Sequence, residues 1–90
     1  MARRVRLTVK SVAGRCGAGY KAGDSFMVEG ANIVGEKGQG ICLYAFPSLA
    51  PYLAAFCRET PASDWINNLT QLQCPDARNT VLFALERLEA

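Results

Sequence analysis

The fold depends on one stretch of sequence, a glycine turn that runs into the longest apolar segment, Gly38-Gln-Gly-Ile-Cys42-Leu-Tyr-Ala-Phe-Pro-Ser-Leu-Ala-Pro-Tyr-Leu-Ala-Ala-Phe-Cys57. No other segment is long and apolar enough to centre a core. Proline is tolerated in the first turn of a helix but disrupts a helix interior, because it lacks an N–H and its ring clashes with the preceding turn. We therefore predict a short turn near 43–46, an N-cap at Ser48 and a helix over 48–58.

Apolar side chains recur through this predicted helix at spacings of three and four, which is typical of a buried helical face. They are Leu49, Leu53, Phe56 and Cys57. Arg58, just before Thr60-Pro61, is predicted to supply a cation at the C-terminal end of the helix.

The remaining elements are mostly strands. Residues 4–12 alternate apolar with basic or polar side chains, so they predict a strand with one buried face. Residues 25–29 and 80–88 predict two further strands, the last covered on both faces because it contains a run of five apolar residues. Ala, Leu, Glu and Arg also allow a helix at 80–88, but Thr80, Val81 and Phe83 favour a strand. A short strand fits at 32–34. A second short helix near 63–70, capped by Ser63-Asp64, is expected to turn Trp65, Ile66 and Leu69 inward, with Trp65 filling part of the core. The sequence predicts an α+β fold with a small, mostly antiparallel sheet.

Size and composition limit the classes of function. Ninety residues make one domain with a small stability margin, since a chain this short buries only about 60–65% of its unfolded surface. Self-association would add stability, so we expect a homo-oligomer or a protein partner. Half the residues are apolar, a fifth are charged and the net charge is only +2, which is globular and too weakly basic to indicate a polyanion partner. No unbroken apolar run is long enough to span a bilayer.

The cysteines indicate a compartment. The N-terminus starts with positive charge but then alternates, unlike the apolar centre of a signal peptide. We therefore expect a cytoplasmic protein whose four cysteines are reduced thiols.

Few residue types could carry chemistry. The chain has no histidine, which excludes histidine-based acid–base catalysis and histidine metal ligands. Among the carboxylates, Asp24 and Asp76 lie in turn-rich segments where a side chain could be presented, although each is also suited to accepting backbone N–H bonds in a turn. The absence of an assembled catalytic set favours a binding protein over an enzyme, and the sequence identifies no cofactor.

Three cysteines lie beside turn residues and could converge in space. Cys16 precedes Gly17, Cys42 follows Gly40-Ile41, and Cys74 precedes Pro75. They could be structural thiols, a reactive or redox pair, or metal ligands. Cys57 is predicted to be a small buried hydrophobe. Near the start of the main helix, Cys42 would have its thiolate stabilised by the helix dipole, so it is the best candidate nucleophile.

The motifs resemble those of a family of small uncharacterised proteins of bacteria and archaea. They are Cys16-Gly-Ala-Gly19-Tyr20, Gly23-Asp24 before a strand, Gly40-Ile-Cys42 entering the apolar helix, Cys74-Pro-Asp76, and the terminal Glu86-Arg87. The resemblance implies this order of elements and singles out Cys16, Cys42 and Cys74, but it implies no reaction. Members often have proline after the first two motif cysteines and a histidine in the first motif. Here Gly17, Leu43 and Tyr20 occupy these positions, so no histidine-dependent role is implied.

Three functions follow as hypotheses. The first is a cytoplasmic binding or accessory protein that associates through apolar surface. The second is a cysteine-dependent protein in which Cys16, Cys42 and Cys74 bind a metal or exchange electrons. The third is weak nucleic-acid binding through Arg3, Arg4, Arg6 and Lys10, for which the basic surface is small and lacks interleaved aromatic residues.

Overall fold

The structure, a computed structural model, describes residues 4–88, which form one five-stranded antiparallel sheet and one α-helix. The sheet has the strand order β3-β2-β1-β5-β4, and β3 and β4 form its edges. The elements are β1 (Arg4–Val12), β2 (Ser25–Glu29), β3 (Asn32–Gly35), α1 (Ala45–Phe56), a 3-10 turn (Trp65–Asn68), β4 (Gln71–Gln73) and β5 (Val81–Leu88). The predicted α+β class and the antiparallel sheet are confirmed.

One face of the sheet packs against α1 to form the core. In β1 the alternation works as predicted, since Val5, Leu7 and Val9 are buried while the residues between them lie on the opposite face. An aromatic cluster joins the sheet to the helix: the ring centroids of Phe26 and Phe46 lie 5.0 Å apart, and those of Phe46 and Phe83 lie 5.8 Å apart. Burial of these large side chains is the main force that holds the helix on the sheet.

The main helix begins three residues earlier than the predicted N-cap. It starts at Ala45 with Tyr44 at the N-cap, so Ser48 lies inside the helix and its hydroxyl donates to the Ala45 carbonyl (2.6 Å). Pro47 falls in the first turn, where the N–H groups have no intrahelical partner. The interior proline is Pro51. The early start is favoured because Phe46 buries its ring in the core, an apolar gain that outweighs the one hydrogen bond lost at Pro51.

The prediction for residues 63–70 is correct about the cap and about Ile66 and Leu69, but wrong about Trp65. The Asp64 side chain accepts the N–H of Ile66 (3.0 Å), and only a four-residue 3-10 turn follows. Ile66 is buried, whereas Trp65 is 61% exposed and stacks edge-on against Tyr52, with 6.3 Å between ring centroids. Leu69 is partly buried against the core, so Ile66 and Leu69 face inward and Trp65 lies on the outer side of the short turn.

The last part of the sheet differs from the prediction in two respects. The short edge strand β4 was not predicted, because its residues Gln71-Leu-Gln73 give only one apolar position. The strand predicted at 80–88 is confirmed as β5, but it is not fully covered on both faces. Leu82 and Ala84 on the face away from α1 are only half-buried.

The basic side of β1 is partly neutralised by acidic neighbours. Arg6 forms an ion pair with Glu36 (2.8 Å) and lies 3.7 Å from Glu86. Lys10 is exposed, and Arg3 lies outside the described residues. Within the described part of the chain, no helix combines the length and the apolar character needed to cross a membrane.

Candidate functional site

Three loops meet at the N-terminal end of α1 and enclose a cavity of about 420 Å³. The cysteines Cys16, Cys42 and Cys74 all line it, one from each loop. We call this space the cysteine cavity. Its other walls are Gly17, Ala18, Tyr20, Leu43, Tyr44, Ala45, Pro75, Asp76, Asn79 and Val81. These three cysteines therefore share one site, although 58 positions separate Cys16 from Cys74 in the sequence.

Tyr20 connects two of these loops from inside the protein. Its hydroxyl donates to the Gly40 carbonyl (2.7 Å) and accepts the N–H of Cys42 (2.7 Å). Its ring is 6% exposed and packs on Phe26, with 4.8 Å between centroids. Burial raises the pKa of Tyr20, so the phenol stays protonated and acts as a donor to the Gly40 carbonyl. This side chain fixes the position of Cys42 at the cavity wall.

Cys42 lies two residues before the N-cap of α1 and accepts two of the first N–H groups of the helix. Its carbonyl accepts the N–H of Phe46 (3.3 Å), and its Sγ accepts the N–H of Ala45 (3.5 Å). The first N–H groups of a helix have no intrahelical partner and carry partial positive charge. The sulfur of this half-buried residue thus faces one of these donors, as the sequence predicts for the candidate nucleophile.

The other two cavity cysteines have different surroundings. Cys74 is buried, and its Sγ accepts the N–H of Val81 (3.2 Å) while facing the Asn79 carbonyl (3.7 Å). Cys16 is half-buried, and its carbonyl closes a turn with the N–H of Gly19 (3.0 Å). All four cysteines are free. Cys74 is therefore held by its neighbours, whereas Cys16 lies on an irregular loop.

Cys57 lies apart from this group, as predicted. It is buried and lines a second cavity of about 320 Å³ between α1 and the β2–β3 hairpin, with Val28, Ile33 and Leu53. Burial raises the pKa of the Cys57 thiol, which keeps it protonated. It behaves as a small apolar side chain.

Asp76 and Asn79 shape the loop that presents Cys74. The Asp76 carboxylate accepts the N–H groups of Asn79 (3.0 Å) and Arg78 (2.9 Å), and these bonds lower the pKa of Asp76. The side-chain oxygen of Asn79 in turn accepts the N–H of Arg15 (2.8 Å). Gly14, with a positive φ of 75°, lies against the same oxygen. Asp76 is exposed and is the one charged residue among the described residues of the cavity wall. The loops of Cys16 and Cys74 are thereby joined.

Asp24 does not reach the cysteine cavity and is a turn residue. It is 4% exposed, and its carboxylate accepts the N–H of Lys21 (3.0 Å) and lies 3.6 Å from the Lys21 ammonium. The backbone N–H of Lys21 is the main reason that the pKa of Asp24 lies below its ordinary value of 3.8. Of the two candidate aspartates, only Asp76 belongs to the site.

Replacing Asp24 with asparagine is expected to weaken the fall in unfolding free energy that the wild type shows at low pH. A carboxyl whose folded pKa is lowered stabilises the fold above its unfolded pKa of about 3.9, and this stabilisation is lost as the pH falls through the folded pKa. The difference in unfolding free energy between the wild type and Asp24→Asn should therefore be constant above about pH 5 and shrink below about pH 4. Urea denaturation at a series of pH values measures it.

Lys21→Met is the matched control for this prediction. The Lys21 side chain is 82% exposed, and the substitution leaves its backbone N–H in place. Lys21→Met should therefore keep most of the acid dependence. If it flattened the curve as much as Asp24→Asn, the exposed ion pair and not the backbone N–H would be the cause.

The described residues of the cysteine cavity do not form a group suited to bind a metal ion. Within residues 4–88, no group of three Cys, Asp, Glu or His side chains is close enough to hold a metal ion. Comparisons with protein families, with curated proteins and with solved structures give no match to this chain. The family resemblance therefore stays a prediction.

Sequence reasoning missed two residues of the site, Tyr20 and Asn79. Both act through hydrogen bonds to segments distant in sequence: Tyr20 to Gly40 and Cys42, and Asn79 to Arg15. The signal that could have indicated Tyr20 is its position as an isolated aromatic residue within a glycine-rich loop. Asn79 gave no signal beyond ordinary turn composition.

Proposed function

We propose that this protein is a small binding protein whose ligand occupies the cysteine cavity. The observation that carries the proposal is the convergence of three loops, each with one free thiol, on a single cavity at the start of the main helix. The volume of about 420 Å³ falls within the range of roughly 300–1,000 Å³ that is usual for small-molecule sites. This follows the first hypothesis for a binding protein and assigns the thiols of the second hypothesis to its site.

The chemistry of the walls suggests the class of ligand. Apolar and sulfur-containing side chains form most of the lining, and Asp76 is the charged residue in it. The hydroxyl of Tyr20 already uses its hydrogen in the bond to Gly40. Few polar groups are left to bind a strongly polar ligand, and the carboxylate would repel an anion. A small, uncharged and mostly apolar molecule fits best.

Binding is favoured over catalysis because the residues present do not form an acid–base pair. Histidine is absent from the chain, and Asp24 lies away from the cavity in a turn. Asp76 is held by the N–H groups of its own loop. The free cysteines fit a reducing compartment, and we propose the cytoplasm as its location.

An NMR titration with a set of small neutral aromatic and aliphatic compounds tests the proposal. Binding in the cysteine cavity should shift the amide signals of Cys16, Cys42 and Cys74 together. Ala18→Trp, which fills the cavity from its wall, should abolish these shifts. Ala62→Trp, an equal substitution at an exposed position outside the cavity, should leave them unchanged. Compounds that bind only beside Leu53, or no binding at all, would contradict the proposal.

A second candidate function is self-association through the outer face of α1. Two exposed aromatic side chains contact each other there: Tyr52 is 43% exposed and Trp65 is 61% exposed, with 6.3 Å between their ring centroids. The helix sequence from Ala45 to Phe56 has no charged residue. In a twofold dimer the same surface meets its own copy, so an uncharged face avoids the like-charge repulsion that a charged face would produce. We therefore infer a second copy of this chain as its partner.

Light scattering over a range of protein concentrations tests self-association. The wild type should form a dimer, and Tyr52→Lys should shift it to a monomer because two copies of the new charge would face each other. Val34→Lys is the matched control, since Val34 is also exposed but lies on edge strand β3. A monomeric wild type, or a dimer lost in Val34→Lys and kept in Tyr52→Lys, would contradict this candidate.

A further inference from the structure

We propose that Cys42 and Cys16 carry out thiol–disulfide exchange with small uncharged disulfides, Cys42 as the attacking thiol and Cys16 as the resolving thiol. The inference rests on the proposed function, because the disulfide must enter the cysteine cavity. It adds a substrate class and assigns separate roles to the thiols of the cavity. The surroundings of Cys42, the accessibility of Cys16 relative to Cys74, and the charge of the walls support it.

Cys42 is the attacking thiol because of its position relative to the helix. Its Sγ accepts the N–H of Ala45 at the first residue of α1, and the residue is half-buried, so a reagent in the cavity can reach the sulfur. The thiolate is the form that attacks a disulfide, and donors at a helix N-terminus stabilise negative charge. Tyr20 holds the Cys42 backbone in place with a 2.7 Å hydrogen bond.

Cys16 is the resolving thiol because it is the more accessible and less restrained of the remaining two. Cys74 is buried, and its sulfur is held between the N–H of Val81 and the carbonyl of Asn79. Cys16 is half-buried and lies on the 13–24 connection, which contains no helix or strand. A connection of this kind can adjust to the Cα separation of about 4.4–6.8 Å that a disulfide requires.

Tyr20 also places Cys16 and Cys42 in one neighbourhood. The two thiols both line the cavity wall that contains Tyr20. Tyr20 belongs to the same loop as Cys16, and its hydroxyl donates to the Gly40 carbonyl and accepts the N–H of Cys42, each at 2.7 Å. The loop of Cys16 is therefore bonded directly to the backbone of Cys42.

The exchange balances in two steps without any other reactant. The Cys42 thiolate attacks one sulfur of the disulfide R–S–S–R, the S–S bond breaks, and one RS⁻ leaves and takes up a proton. The product is a mixed disulfide between Cys42 and R. The Cys16 thiolate then attacks Cys42 Sγ, the mixed disulfide breaks, and the second RS⁻ leaves and is protonated. The substrate gains two electrons from the protein, and a Cys16–Cys42 disulfide forms.

The probe is 2,2′-dipyridyl disulfide, a small neutral aromatic disulfide, added to the fully reduced protein under nitrogen. Intact-mass spectrometry and peptide mapping identify the products. The wild type should lose two hydrogen atoms without a lasting adduct and give a Cys16–Cys42 linked peptide. Cys16→Ser should stop at a pyridyl adduct on Cys42, and Cys42→Ser should react far more slowly. Cys57→Ala, which removes a thiol outside the cysteine cavity, should behave like the wild type. The dianionic analogue 5,5′-dithiobis(2-nitrobenzoate) should react more slowly with the wild type, because Asp76 lies in the cavity wall.

The results separate this inference from the proposed function. If iodoacetamide modifies Cys42 in the native protein but the disulfide reagent leaves a stable adduct or links Cys42 to Cys74, the exchange mechanism is wrong while the cavity remains open to ligands. If Cys42 and Cys16 are both unreactive towards iodoacetamide in the native protein and reactive after denaturation, the cavity is closed. The exchange and the proposed function then both fail.

Discussion

Replacing Tyr20 with phenylalanine should lower the free energy of unfolding by about 2–3 kcal/mol, although it removes a single oxygen atom. That oxygen serves both the Gly40 carbonyl and the Cys42 N–H, each at 2.7 Å. Without it, two backbone groups in a partly buried setting lose their partner, and each such loss costs about 1–3 kcal/mol. The phenylalanine ring keeps the contact with Phe26, so the loss reports the hydrogen bonds and not the packing. Urea denaturation gives the value.

The same substitution should change the chemistry of the cysteine cavity. Because Tyr20 holds the loop before α1, its loss should free Cys42 from its position and increase its rate of alkylation in the native protein. Tyr44→Phe is the matched control, since the Tyr44 ring is exposed and the change should alter stability by less than about 0.5 kcal/mol. If Tyr20→Phe behaved like Tyr44→Phe in both measurements, the link between the loops would have no energetic importance.

The elements with a clear repeating pattern could be predicted from the sequence. In β1 the alternation of Val5, Leu7 and Val9 with polar residues gave both the strand and its buried face, and the mixed apolar run of β5 gave a strand. Such patterns reflect which side chains leave water, and the removal of apolar surface from water is the dominant driving force of folding. The order of the elements follows from the same patterns.

Boundaries and single side chains could not be predicted in the same way. The start of α1 depends on whether Phe46 gains more from entering the core than Pro51 costs the helix, a balance set by tertiary packing. Trp65, Ile66 and Leu69 were all predicted to face inward, but the helix is only a short 3-10 turn, which buries Ile66 and leaves Trp65 exposed. The composition of these segments fits either outcome.

The cysteine cavity could be predicted only in part from the sequence. That Cys16, Cys42 and Cys74 all stand beside turn residues could be read from the sequence, and the structure places all three in one cavity. The hydrogen bonds that hold the three cysteines there could not be predicted from the sequence, because the partners of Tyr20 and Asn79 are 20 or more residues away. Spacing along the chain shows which residues could meet, and only the fold shows which hydrogen bonds decide it.

Replacement of Arg87, on β5, should have the second large effect on the free energy of unfolding. The guanidinium of Arg87, on β5, donates from Nε to the Phe56 carbonyl (3.0 Å) and from a terminal nitrogen to Asn67 Oδ1 (2.9 Å). It also lies over the Phe56 ring, 4.2 Å from its centroid. The last carbonyls of a helix have no intrahelical partner, so Arg87 supplies at the C-terminal end of α1 the cation that the sequence suggested for Arg58.

Arg87→Met should therefore lower the free energy of unfolding by about 2–3 kcal/mol, because it removes two charge-assisted hydrogen bonds and the cation–π contact while keeping a long apolar side chain. Arg87→Lys should recover less than half of this loss, since an ammonium cannot reproduce the two-point geometry of the guanidinium. Arg58→Met, at an exposed position in the neighbouring segment, should change stability by less than about 0.5 kcal/mol. Urea denaturation of the three variants measures these differences. A loss at Arg58→Met equal to that at Arg87→Met would mean that general positive charge near the helix end matters, and not the contacts that Arg87 makes from β5.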